Sequence, residues 1–96
     1  MSLLPLDGPA VYKSLSVGDS TPVEVKVGAS VQSERKIVTI QPIDGIVYYG
    51  YDTNLTSSNG TKIFKGQWIQ LEVGEMLSIY LISDSGTVDV RITEVA

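Results

Sequence analysis

The chain has 96 residues, no cysteine and no histidine, and its 7 basic and 11 acidic residues give a net charge of −4. This length suits one domain with a modest core, and the missing residue types exclude disulfides, cysteine-based metal sites and the usual general base of enzymes. The basic residues are scattered, apart from the neighbours Arg35 and Lys36, so no surface for tracking phosphates is predicted and nucleic acid is not expected as a partner.

Residues 1–10 are predicted to form an arm that precedes a single folded domain, residues 11–96. The arm carries Leu3, Leu4 and Leu6 between prolines and a glycine. It can form neither a helix nor a ladder strand, yet it is too apolar for a solvated tail. We expect the three leucines to dock on another subunit. The alternative is that the first three residues are foreign to the native chain and the rest is a packed lead-in to the first strand.

The start of the chain shows neither a basic region nor an apolar run of signal-peptide length. Nowhere does the chain contain a run of about 18 apolar residues, the length that a membrane-spanning helix requires. We therefore expect synthesis in the cytoplasm and no membrane partner.

Alternation of apolar and polar side chains predicts the first strands. One strand is predicted over residues 11–17, and a second over residues 22–27, with Val23, Val25 and Val27 facing inward. The small polar residues that follow predict a loop that crosses from one sheet to the other.

Residues 35–51 predict a hairpin, because two strand-like runs flank a turn that contains Pro, Asp and Gly. If Gln41 pairs with Ile46, both faces of the hairpin are apolar, and Tyr48 and Tyr49 lie on opposite faces. A hairpin on the outside of a monomer should present one polar face to water. Either a loop or the arm covers the second face, or a neighbouring subunit buries it.

The polar loop at residues 52–61 has side-chain oxygens at the spacing that begins a calcium loop. The glycine required at the sixth position is Ser57, however, and the glutamate required at the twelfth is Ile63. We therefore predict no metal site, and a turn in which Asn59 and Gly60 adopt positive φ.

A second hairpin is predicted from residues 67–73 and 76–83, and a last strand from residues 87–95. The inward residues of the two hairpin strands face each other only if Val73 pairs with Leu77.

That register predicts an outer patch of Trp68, Tyr80 and Ile82. Three large apolar groups exceed what a soluble monomer usually leaves bare, and Trp and Tyr are enriched in protein interfaces. We expect a subunit or partner to contact this patch. The alternative is that the loop at residues 52–61 or the arm covers it within one chain.

Seven or eight short strands without helical periodicity predict an all-β fold, a single antiparallel β-sandwich that is jelly-roll-like, with a small β-barrel as the alternative. The predicted core consists of the inward residues Val23, Val25, Val27, Ile69, Leu71, Val73, Leu77, Ile79, Leu81, Val88, Val90 and Ile92.

No catalytic site and no cofactor are predicted, because the acidic residues fall at turns or on outward strand positions. A different binding function remains open. The aromatic residues Tyr48, Tyr49, Tyr51 and Trp68 could stack on sugar rings, as in a glycan- or receptor-binding sandwich, although packing of the sheets explains them as well.

The pattern after residue 34 resembles small structural proteins of tailed bacteriophages. The residues that carry the resemblance are Arg35, Ile37, Val38 and Ile40, then Val47, Tyr48, Tyr49 and Gly50, the loop 56–60, Ile63, Phe64 and Gly66, and the closing strands 77–81 and 88–94. The resemblance implies a virion component without enzymatic activity, a capsid decoration protein or a head or tail accessory subunit. Its expected partners are other virion proteins and further copies of itself. The expected interface residues are Leu3, Leu4, Leu6, Tyr48, Tyr49, Trp68, Tyr80 and Ile82.

Overall fold

The computed structural model describes residues 8–96, which form eight β-strands and no helix. The strands are β1 (Ala10–Val17), β2 (Val23–Glu24), β3 (Ile37–Pro42), β4 (Val47–Gly50), β5 (Thr61–Ile63), β6 (Ile69–Leu71), β7 (Tyr80–Ser83) and β8 (Val88–Val95). The prediction of an all-β fold is confirmed. The predicted arm residues Leu3, Leu4 and Leu6 lie outside the described residues.

The strands form two antiparallel sheets of four strands each. The first sheet has the order β1-β8-β3-β6, and the second has the order β2-β7-β4-β5. Inward residues of both sheets meet in one apolar core, as in a β-sandwich. Among the described strands, β4 and β5 are the only consecutive pair that belongs to one sheet. Every other connection carries the chain from one sheet to the other.

The predicted hairpin at residues 35–51 is wrong. β3 pairs with β8 and β6, whereas β4 pairs with β5 and β7 in the opposite sheet. The turn after β3 crosses the start of β8: the Ile43 N–H donates to the Asp89 carbonyl over 2.8 Å, and a Cβ on Gly45 would lie 2.7 Å from a methyl of Val88. Gly45 is needed for this close approach and not for positive φ.

The predicted hairpin of residues 67–73 and 76–83 is also wrong, because β6 pairs with β3 and β7 pairs with β2 and β4. The connecting segment wraps around the side chain of Arg35, which donates hydrogen bonds to the carbonyls of Val73, Gly74 and Leu77. These hydrogen bonds satisfy carbonyl groups that would have bonded to the partner strand in a hairpin.

Half of the predicted core residues are buried. They are Val25, Ile79, Leu81, Val88, Val90 and Ile92. Five others are half-buried, and all of them except Val23 pack against the core: Val23, Val27, Ile69, Leu71 and Val73. Leu77 is exposed, which corrects the prediction, because it belongs to the loop around Arg35 and to no strand. The buried residues that the prediction omitted include Val17, Val38, Ile40, Val47 and Ile63.

A fully buried ion pair closes one end of the core. Glu94 continues the inward alternation of β8, and its carboxylate accepts hydrogen bonds from Arg35 Nη1 (3.0 Å) and from the backbone N–H groups of Val27 (2.9 Å) and Gln32 (3.3 Å). The pair thereby joins the β2–β3 loop and the β6–β7 loop to the end of β8. The alternation of Val88, Val90 and Ile92 already placed Glu94 on the core face, which is the signal that sequence reasoning missed.

Candidate binding surface

The predicted outer patch does not exist as one surface. Tyr80 and Ile82 lie on the second sheet, where they cluster with Tyr48 and Leu55. Trp68 lies beside the first sheet and is 59% exposed. The prediction was wrong because it rested on a hairpin that does not form. Ile82 is buried and Tyr80 is half-buried in a cluster with Leu55 of the β4–β5 loop, which agrees with the alternative that this loop covers them within one chain.

The β4–β5 loop, residues 51–60, is fixed by Leu55, which is buried against the second sheet. A Cβ on Gly60 would lie 2.5 Å from Leu55 Cδ1 and 2.8 Å from Tyr48 Cβ. Gly60 therefore allows the loop to close on the sheet. Neither Asn59 nor Gly60 has a positive φ, which corrects the prediction for this turn.

Two of the side chains that resembled a calcium loop, Asp52 and Thr56, accept hydrogen bonds from the loop's own backbone, and the neighbouring Asn59 does the same. Asp52 Oδ1 accepts the N–H of Asn54 (2.9 Å), Thr56 Oγ1 accepts the N–H of Ser58 (3.2 Å), and Asn59 Oδ1 accepts the N–H of Thr56 (2.7 Å). The first two bonds are those of an Asx turn and a Ser/Thr turn, and the third connects Asn59 back to the start of the same turn. Within residues 8–96, no group of three or more carboxylates is placed to hold a metal ion.

The aromatic residues proposed to stack on sugars are also separated. Tyr48 is buried, Tyr49 packs against the main core, and Trp68 lies on the other side of the molecule. Only Tyr49 and Tyr51 contact each other, edge to face, with ring centroids 6.1 Å apart. The described residues therefore contain no aromatic platform made of this set.

The outer face of the first sheet instead forms a shallow depression that sequence reasoning did not find. Residues directly opposite each other in antiparallel strands project to the same face. Tyr12 of β1 pairs with Thr93 of β8, which pairs with Thr39 of β3. This row forms one side of the depression.

A second row runs beside the first. Ser14 of β1 pairs with Arg91 of β8, which pairs with Gln41 of β3. Trp68, directly before β6, lines the same hollow as Gln41 and Arg91. We call the surface formed by Tyr12, Thr39, Gln41, Trp68, Arg91 and Thr93 the outer trough. It comprises two adjoining hollows of about 280 and 320 Å³.

The polar groups of the outer trough are held in place by neighbours. Arg91 Nη2 donates to Asp89 Oδ2 over 3.1 Å, and Ser14 Oγ donates to Asp89 Oδ1 over 2.8 Å. The hydrogen bond from Arg91, and secondarily that from Ser14, lowers the pKa of the Asp89 carboxyl below its ordinary value of 3.8. Gln41 Nε2 donates to the carbonyl of Gly66 over 3.1 Å. The trough thus offers an oriented guanidinium, an amide and hydroxyls between two exposed aromatic rings.

Two sequence comparisons with known proteins find no relative. A scan against models of protein families finds no match, and a search of curated proteins finds none either. The described residues contain no helix that is long and apolar enough to cross a membrane.

Proposed function

We propose that this protein is a non-enzymatic structural subunit of a tailed-bacteriophage particle, a capsid decoration protein or a head or tail accessory subunit. It is made in the host cytoplasm and resides in the virion, where it contacts other virion proteins and further copies of itself. Neither nucleic acid nor a membrane is a partner in this proposal.

The observation that carries the proposal is the strand pairing. The antiparallel pairs β1–β8, β2–β7, β3–β6 and β4–β5 are nested, as if one long ribbon had been folded in two and wound over itself. We propose that this winding is a jelly roll. Eight-stranded jelly rolls occur in viral capsid proteins, among other classes, so the pairing agrees with the resemblance to phage structural proteins. The fold alone does not fix a function, and the particle itself must be tested.

Self-association is supported by the edge of the first sheet. β1 spans eight residues and has one neighbouring strand, β8, among the described residues. It contains no proline and one charged residue, Lys13. A long edge strand with so few protective features is a template for pairing with another chain. The edge strands β2, β5 and β6 are much shorter, at 2, 3 and 3 residues. We therefore place the contact between copies at β1.

Hydrogen exchange tests this contact. In a monomer, alternate amides of β1 face the free edge and exchange rapidly, whereas in an oligomer paired through β1 all its amides are protected. β8 is the internal control, because it is paired on both sides in either state. Alternating protection in β1 at concentrations where light scattering shows an oligomer would refute a contact through this edge.

The arm is the proposed contact with other virion proteins. Each of Leu3, Leu4 and Leu6 would contribute about 1.5 to 3 kcal/mol if fully buried on a partner. The start of β1 is anchored without them, because the Ala96 N–H donates to the carbonyl of Pro9 over 3.1 Å. We therefore expect a chain that lacks residues 1–7 to remain folded.

Co-sedimentation with phage particles that lack this protein tests the proposed function. The full chain should bind the particles, and the chain without residues 1–7 should bind more weakly with an unchanged melting midpoint. If the full chain does not bind, the virion proposal fails. If the shortened chain unfolds, the arm belongs to its own core. The interface roles of Tyr48, Tyr49, Trp68, Tyr80 and Ile82 stay predictions.

A further inference from the structure

We propose that the outer trough is a carbohydrate-binding site that holds a short oligosaccharide across the strands of the first sheet. The proposal differs from the aromatic set considered from the sequence, of which only Trp68 takes part. It is also independent of the virion proposal, since it rests on the geometry of this face alone.

Two exposed aromatic side chains mark the ends of the outer trough. Tyr12 is 79% exposed on β1, and Trp68 is 59% exposed beside β6, so they stand at opposite edges of the first sheet. Four strands spaced about 4.8 Å apart place these edges about 14 Å from each other. An aromatic ring offers a flat apolar face, on which the C–H face of a sugar ring can stack. The separation suits a chain of sugars rather than a single one.

The floor between the aromatic rings is polar. Thr39 and Thr93 provide hydroxyls that can donate and accept hydrogen bonds, Gln41 provides an amide, and Arg91 provides a guanidinium with several donors. Gln41 is held by the Gly66 carbonyl and Arg91 by Asp89, so both are oriented before a ligand arrives. Such preorganisation reduces the cost of binding. A ligand rich in hydroxyl groups matches this floor.

The same arrangement disfavours a protein or a nucleic acid as the occupant. Protein interfaces have a dry apolar centre and a polar rim, whereas here the polar groups lie in the centre and the aromatic groups at the ends. A nucleic acid would need several cations along its backbone. Of the residues that line the two hollows, only Arg91 and Lys13 are cations, and Arg91 is paired with the carboxylate of Asp89. Carbohydrate is therefore the class of ligand that the outer trough fits best.

Trp68 is the sole tryptophan of the chain, so its fluorescence reports on the outer trough alone. The full chain is titrated with a panel of free oligosaccharides of glucose, galactose, N-acetylglucosamine and sialylated lactose. At least one probe is expected to change Trp68 emission in a saturable manner and to shift the backbone amide signals of Thr39, Arg91 and Thr93 in NMR spectra.

Substitutions identify the site. Tyr12→Ala and Trp68→Ala should each weaken binding by about tenfold or more, measured by calorimetry, with unchanged melting midpoints because both side chains are exposed. Tyr51→Ala is the matched control, since Tyr51 is 49% exposed but follows β4 on the second sheet, and it should leave binding unchanged.

Three outcomes would overturn the proposal. The first is that no probe alters Trp68 emission or the trough amides at millimolar concentration. The second is that binding survives both aromatic substitutions. The third is that the trough amides shift only as protein concentration rises, which would assign this face to a second copy of the chain. None of these outcomes affects binding to particles, so the virion proposal fails or stands separately.

Discussion

Arg35→Met should strongly destabilise the fold, because Arg35 is a fully buried cation with four hydrogen-bond acceptors. Its guanidinium lies 3.0 Å from Glu94 Oε2 and donates to the carbonyls of Val73 (3.3 Å), Gly74 (2.9 Å) and Leu77 (2.7 Å). Methionine fills similar space but donates no hydrogen bond. The substitution would leave three carbonyls without this donor and the Glu94 carboxylate buried without its counter-charge.

Removing one member of a buried ion pair costs about 3 to 5 kcal/mol, because the remaining charge is uncompensated. Domains of this size have unfolding free energies of about 5 to 15 kcal/mol in total. At about 4 to 8 °C for each kcal/mol, the melting midpoint of Arg35→Met should fall by at least about 10 °C.

Urea denaturation of Arg35→Met, Glu94→Leu and the double variant measures this effect. The double variant buries no charge, so its loss of stability should be smaller than the sum of the two single losses by more than about 1 kcal/mol. Arg91→Met is the matched control, because the Arg91–Asp89 pair is solvent-exposed, and it should cost less than about 1 kcal/mol. Single losses below about 1 kcal/mol that simply add would refute the reasoning.

Three further predictions concern the core, the loop and the surface. Ile79→Ala should cost about 2 to 5 kcal/mol in chemical denaturation, because the side chain is fully buried between the sheets. Gly60→Ala should cost about 1 to 3 kcal/mol, since its Cβ would overlap the packed loop, whereas Gly18→Ala, which meets open space, should change stability little. The Asp89 carboxyl should titrate below 3.8 by NMR, and Arg91→Gln should raise its pKa. Since this pKa is lower in the folded than in the unfolded chain, the hydrogen bonds to Asp89 stabilise the fold above pH 3.8, and their contribution is lost as pH falls through the folded pKa. Unchanged stability in the first two variants, or an unchanged Asp89 midpoint in Arg91→Gln, would contradict the packing and hydrogen bonds described.

Alternation located most strands but could not choose their partners. The last strand was predicted at residues 87–95 and lies at Val88–Val95. Its prediction succeeded because one face of the strand is buried along its whole length and the other is not, which produces strict alternation. The pairing failed where a turn looked locally suited to a hairpin. β3 instead makes six residue pairs with β8, a strand distant in sequence. A local turn pattern does not indicate whether a strand pairs with the next strand or with a distant one.

The candidate binding surface was predictable only in fragments. Because Val88, Val90 and Ile92 were predicted to face inward, alternation correctly places Arg91 and Thr93 on the outward face of the same strand, and Trp68 was predicted to be an exposed aromatic residue. Tyr12 and Thr39 were not predicted to belong to a site, because no motif near them in the sequence indicates one. The order β1-β8-β3-β6 brings these residues together, and that order depends on long-range pairing rather than on local pattern.

A cryo-electron microscopy map of the phage particle whose genome encodes this chain would test the proposed function most directly. We expect a density for each copy of about 37 × 24 × 23 Å at symmetry-related positions on the head or tail. The end that carries Gly8 and Ala96 should face the neighbouring virion protein, because the arm joins the folded domain there. Purified particles that contain neither such a density nor this protein by mass spectrometry, while infected cells contain it, would contradict a structural role in the virion.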